Sequence, residues 1–194
     1  MPELEPQFTL SDKIVQDCQI RFTDCYQCAK CSAGCPLTFA MDLLPHEIIR
    51  LTGLGLLATV LTSRTIWVCS ACETCTTRCP NEIDIAGLMD YLKERAVRTG
   101  QAVPQPQVLA FHQAFLDTVR LAGGRLHEPL LLGWYLLRHG QGLKRLKTGE
   151  LQDDLRLGLT MFRKGRLGLQ PPRRWLQPEE LAKLWPQARR EGAP

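Results

Sequence analysis

Aromatic residues are scarce in this 194-residue chain, at 7% of the total, and strict apolar–polar alternation stands out nowhere. The second absence removes the signature of half-buried β-strands, so the chain reads as nearly all α. Long hydrophobic runs are also missing. The uncharged stretch Leu51–Ser63 is too short to span a bilayer and carries threonines and glycines, and the apolar run Pro129–Leu137 is shorter still. No membrane span is expected. The first residues include Glu3 and Glu5 and no apolar core of a signal peptide, so no secretory signal is expected either. There is no nucleophile elbow, P-loop, dinucleotide fingerprint or paired-carboxylate arrangement. Those absences exclude the commonest ways of running a substrate reaction, and no substrate site is expected on this chain. Four histidines, His46, His112, His127 and His139, lack a paired ligand spacing and read as surface or packing residues. With 44% hydrophobic and 23% charged residues, the composition is that of a globular protein rather than a disordered one.

Cysteine is what the chain has in abundance. Eight of its nine cysteines fall into two runs of identical spacing. These are Cys25-x-x-Cys28-x-x-Cys31-x-x-x-Cys35-Pro36 and Cys69-x-x-Cys72-x-x-Cys75-x-x-x-Cys79-Pro80. This is the bacterial ferredoxin spacing for cubane [4Fe–4S] clusters. Cysteines three apart in a tightly turning loop reach three corners of one cluster, and the proline after the fourth turns the chain away. In two-cluster ferredoxins that fourth cysteine ligates the other cluster. Carried over, the pattern assigns Cys25, Cys28, Cys31 and Cys79 to one centre, and Cys69, Cys72, Cys75 and Cys35 to the other. Spacing alone does not prove the exchange. Zinc is the competing reading, but zinc sites draw cysteine pairs separated by a longer loop. Thiolate ligands without a signal peptide point to a reducing compartment, and hence to a soluble cytoplasmic protein. Small residues beside the ligands, namely Ala29, Ser32, Ala33, Gly34, Ser70, Ala71 and Thr74, let backbone N–H groups approach cluster sulfurs. Ile66, Trp67 and Val68 would exclude water on one side or simply pack. The ninth cysteine, Cys18, matches neither run and reads as a buried structural thiol or a residue at a partner interface.

Helical periodicity fills the rest. Met1–Asp24 suits a short extended segment or helix. Asp42–Thr62 reads as helical, with Gly53 and Gly55 marking a split or a close-packing point. Asn81 and Asp84 are candidate N-caps before a stripe of Ile85, Leu88, Leu92 and Ala96, with Gly100 as the stop. Gln101–Gln107 reads as a linker. Beyond it come Val108–Leu121, with Val108, Phe111, Phe115 and Val119 in register, then Glu128–His139, Leu155–Arg163 and Glu179–Trp185. A cluster-binding domain over 1–100 and a basic helical extension over 101–194 follow. Residues 1–100 hold 9 Lys and Arg against 12 Asp and Glu, a net −3, whereas 101–194 hold 15 against 8, a net +7. That asymmetry fits solvated helix faces or a surface for an acidic partner. The basic half lacks the interleaved aromatics that stack bases, so no nucleic acid is expected.

Several blocks resemble the small iron–sulfur (C-type) subunit of heterodisulfide reductase. They are Pro45-His46-Glu47-Ile48-Ile49-Arg50 and Ile66-Trp67-Val68 running through Cys69 to Cys79-Pro80. Phe115-Leu116-Asp117-Thr118-Val119-Arg120 and Met161-Phe162-Arg163-Lys164-Gly165 are similar as well. The likeness covers roughly residues 20–175 and is strongest around the cysteines. It implies an all-α, α-helical ferredoxin fold with two [4Fe–4S] clusters. It also implies an oxidoreductase role as the electron-transfer subunit of a complex. In that family this subunit relays electrons from a flavin-containing partner to a cysteine-rich catalytic partner. The catalytic partner reduces a disulfide such as that between coenzyme M and coenzyme B, and related bacterial assemblies use other acceptors or donors. An alternative is the iron–sulfur subunit of a succinate, fumarate or glycerol-3-phosphate dehydrogenase, but those chains commonly carry further cysteine-rich repeats. A zinc scaffold that binds nucleic acid is opposed by the cysteine spacing.

Overall fold

The computed structural model describes residues 5–138, 150–166, 179–180 and 183, and among them there are helices and no strands. The chain divides into two compact units, Met1–Pro106 and Gln107–Pro194. The first contains α1 (Phe8–Cys18), α2 (Lys30–Gly34), α3 (Pro45–Gly53), α4 (Leu57–Leu61), α5 (Thr65–Val68), α6 (Thr74–Thr77) and α7 (Ile85–Arg98). The second contains α8 (Pro106–Leu121), which begins on the boundary residue, α9 (Glu128–Arg138) and α10 (Glu150–Arg163).

The first unit is built on α7. Asp84 caps it, its Oδ1 accepting the Gly87 N–H at 2.8 Å. The expected stripe of Ile85, Leu88, Leu92 and Ala96 is buried throughout, and Met89 joins it. α4 and α5 pack on α7, with Val60, Leu61, Ile66 and Trp67 buried. Each such side chain withdrawn from water is worth about 1.5–3 kcal/mol, which makes this face the main cohesion of the unit. The helix stops at Gly100, whose φ of 64° is left-handed.

The segment expected to be helical over 42–62 is two helices. Pro45 occupies the first turn of α3, and Glu47 Oε2 accepts the Leu44 N–H at 2.7 Å. The break comes at Gly55, for two reasons. Its φ is 72°, and a Cβ there would sit 2.1 Å from the Gln7 carbonyl oxygen. Beside it the Gln7 N–H donates to the Leu54 carbonyl at 2.8 Å, fixing the start of α1 against the end of α3.

In the second unit α8 starts at Pro106, two residues before the expected Val108. The buried face is also not the expected one. Ala110, Ala114 and Thr118 are buried, whereas Phe111 is 45% exposed. Small side chains make the closer contact, and Phe111 instead meets the edge of Tyr135 at 5.9 Å. Trp134 Nε1 donates to Asp117 at 3.2 Å, joining α8 and α9. α10 covers the expected Leu155–Arg163 helix and leaves Leu155, Leu159 and Phe162 exposed. His139 and most of Glu179–Trp185 lie outside the described residues. No described helix is long and apolar enough to cross a membrane.

Candidate iron–sulfur centres

The two cysteine runs fold into copies of one loop. Gln27 and Ala29 flank Cys28 with φ of 61° and 58°, and Ala71 and Glu73 flank Cys72 with φ of 51° and 56°. None of the four is glycine, and each left-handed residue costs roughly 1–2 kcal/mol. Right-handed α2 and α6 begin directly after Ala29 and Glu73. A left-handed residue followed by a right-handed one turns successive N–H groups to one side, the concavity that receives anionic sulfur clusters. The N–H groups act accordingly: that of Ala71 favours the Cys69 thiolate, and that of Thr74 the Cys72 thiolate. Side chains add to this, with Gln27 Nε2 donating to Cys25 Sγ at 3.3 Å and the Thr74 hydroxyl 3.4 Å from Cys72 Sγ.

α2 and α6 pack against each other, which brings the two runs together. A pocket is lined by Cys69, Cys72 and Cys75 of the second run and by Cys35 of the first, with Leu37 and Met89 among its apolar walls. No three of the described His, Cys, Asp and Glu residues are placed to hold a single metal ion. On the other side, exposed Tyr26 lies within the electrostatic field of Cys28, Cys79 and Cys25. Cys31 in turn lies within the field of Cys25. The pocket thus brings Cys35 of the first run together with Cys69, Cys72 and Cys75 of the second. Cys28 and Cys72, the equivalent second cysteines, are exposed, while Cys31 is buried and the other five are half-buried.

Burial dominates the thiol chemistry. It pushes Cys75 up to about 11, with the nearby Cys69 adding to it against the opposing Thr76 N–H. Cys69 and Cys31 are also raised, chiefly by burial. Only exposed Cys72 is lowered, by the Thr74 hydroxyl and N–H. Buried neutral thiols gathered in one cavity suit ligation by iron, which deprotonates them outright.

Two cross-ties, invisible as local patterns, hold the runs in place. Asp42, after the first run, accepts hydrogen bonds from the Arg64 N–H at 2.7 Å and from the Thr65 N–H and hydroxyl at 3.0 and 2.8 Å. It thereby fixes α5, which leads into Cys69. Burial pushes the Asp42 carboxyl up, but these bonds together hold it below the usual carboxylate range. Asn81, after the second run, donates from Nδ2 to the Asp24 carbonyl, next to Cys25. Asn81 is therefore a tie between segments and not a helix cap. His46 likewise departs from its expected role. Its Nδ1 lies 2.7 Å from Ser32 Oγ, which also accepts the His46 N–H at 3.1 Å and sits 3.9 Å from Cys31 Sγ. Cys18 is half-buried rather than buried, its thiol raised by burial, and it faces neither cysteine group.

An all-helical unit that carries both cysteine runs has the character of a ferredoxin-type iron–sulfur domain. The model of the 4Fe-4S dicluster domain matches residues 21–83, and the cofactors are two [4Fe–4S] clusters. More particularly, the chain resembles the C-type subunit of heterodisulfide reductase, the likeness its sequence blocks carry. It is 29% identical over 80 residues to the C-type subunit of the H(2):CoB-CoM heterodisulfide,ferredoxin reductase of Methanothermobacter marburgensis, covering 41% of this chain and 43% of that one. It is 36% identical over 76 residues to a C-type iron-sulfur subunit of the CoB--CoM heterodisulfide reductase of Methanocaldococcus jannaschii, covering 39% and 40%. The C-type subunit of the Ferredoxin:CoB-CoM heterodisulfide reductase of Methanosarcina mazei is 32% identical over 93 residues, covering 48% and 57%. The chain spans about half the length of these curated relatives.

Proposed function

We propose that this chain is the electron-relay subunit of a heterodisulfide-reductase-like complex. It carries single electrons between a flavin-containing subunit and a cysteine-rich catalytic subunit that reduces a disulfide or a related acceptor. In this reading Cys25, Cys28, Cys31 and Cys79 hold one [4Fe–4S] cluster, and Cys69, Cys72, Cys75 and Cys35 hold the other. The clusters, when bound, supply one-electron chemistry, and the protein supplies position, shielding and potential. The observation that carries the reading is the single cavity shared by three cysteines of one run and the fourth of the other. Exchanged fourth ligands tie the centres together and keep them within tunnelling range. Exposed Cys28, beside exposed Tyr26, and exposed Cys72 give each centre an edge toward solvent where an electron can enter or leave. Buried Cys31 and the apolar walls keep water from the remaining sides. The extension over 101–194 docks partner subunits, supported by its net positive charge and by the uncovered apolar residues of α10.

Anaerobic purification tests this directly. The protein should be brown, with broad visible absorbance bleached by dithionite, and should co-purify with a flavoprotein and a cysteine-rich partner when these are co-expressed. A colourless protein that retains zinc refutes it.

A further inference from the structure

We propose that Lys93 is a positioning residue that raises the reduction potential of the centre held by Cys69. The inference rests on the proposed ligation of a cluster by Cys69. Lys93 lies on α7, and its Nζ donates to the Cys69 carbonyl at 3.0 Å and to Asp90 Oδ1 at 2.8 Å. Its side chain is only 12% exposed, whereas that of Asp90 is 58% exposed. A lysine this enclosed is uncommon unless its charge is matched. Here the ammonium is held by a ligand's own backbone on one side and a carboxylate on the other.

Adding an electron to a cluster makes it more negative, and a fixed cation nearby favours that state. The Asp90 carboxylate opposes the effect, but it stands at the rim, where water and salt screen its field. The ammonium is on the inner side and is screened less.

The test is an EPR-monitored redox titration of the full-length, cluster-loaded protein. The signal of the Cys69 centre is identified by its change in Cys72→Ser. Lys93→Gln keeps a hydrogen-bond donor and removes the charge. It should disfavour reduction of that centre by about three- to tenfold, the upper end being a fall of about 59 mV at 59 mV per tenfold for one electron. Lys93→Arg should stay within about twofold of the wild type, and Asp90→Asn should move the same centre the opposite way. An unmoved midpoint in Lys93→Gln with both clusters intact overturns the proposal, as does an equal shift of both centres. If Lys93→Gln fails to hold its clusters, Asp90→Asn decides by the presence or absence of its upward shift. Wild-type protein lacking two [4Fe–4S] signals would instead refute the cluster assignment itself.

Discussion

Individual residues outside the cysteines decide whether the ligand loops stay in register. Asp42 accepts three hydrogen bonds at the entrance to α5. Charge-assisted bonds of this kind contribute a net of about 1.5–3 kcal/mol where enclosed, and less for a carboxylate as exposed as Asp42. Asp42→Ala is therefore expected to lower unfolding stability by about 1–3 kcal/mol, read from denaturant midpoints at constant m-value. The effect has a definite pH dependence. The folded-state carboxyl is held below its unfolded value, so its contribution is full above the ordinary carboxylate range and is lost as pH falls through the folded value. The gap between wild type and Asp42→Asn should be constant from pH 7 to pH 5 and close on further acidification. Gly55 presents a different case, because the cost lies in the backbone. Gly55→Ala places a methyl against the Gln7 carbonyl in a left-handed conformation. A loss of roughly 2 kcal/mol or more is expected in the same measurement, and an unchanged midpoint would mean the α3–α4 turn is differently built.

Among the elements, α7 does most to set the cysteines, because α4 and α5 rest on it and α6 packs beside it. Leu88→Ala removes a fully buried side chain from its inner face. It should cost about 2–5 kcal/mol and loosen the second cysteine loop, seen as faster amide exchange over α5 and α6. Much of this was legible in the sequence. Apolar residues at helical intervals located α7 and its buried stripe, Asp84 announced its cap, and paired glycines announced the break between α3 and α4. The cysteine spacing alone marked the two loops. The buried face of α8 was misread because large aromatics outweigh small residues in a periodicity count, whereas close packing chose Ala110, Ala114 and Thr118. Asp42, Asn81 and the Ser32–His46 pair escaped notice for another reason. Their partners lie 14 to 57 residues away in sequence, and no local spacing encodes such a bond.

For the whole molecule, the proposed function divides the labour between a cluster-holding unit and a basic helical one. Truncation after Gly100 should leave iron content and visible absorbance unchanged, since the cysteines and the α7 core precede it. It should abolish co-purification with the flavin and catalytic partners, because the uncovered apolar residues of α10 are removed. Retained assembly would assign docking to the cluster-binding unit instead, where Phe39 is 85% exposed beyond Cys35.

The central claim is that each cysteine run lends its last sulfur to the other run's cluster. EPR of the reduced, anaerobically prepared Cys79→Ala protein tests this most directly. Loss or conversion of the centre held by Cys25, Cys28 and Cys31 is expected, with the Cys69–Cys72–Cys75 signal intact. Damage confined to the centre of the second run would contradict it.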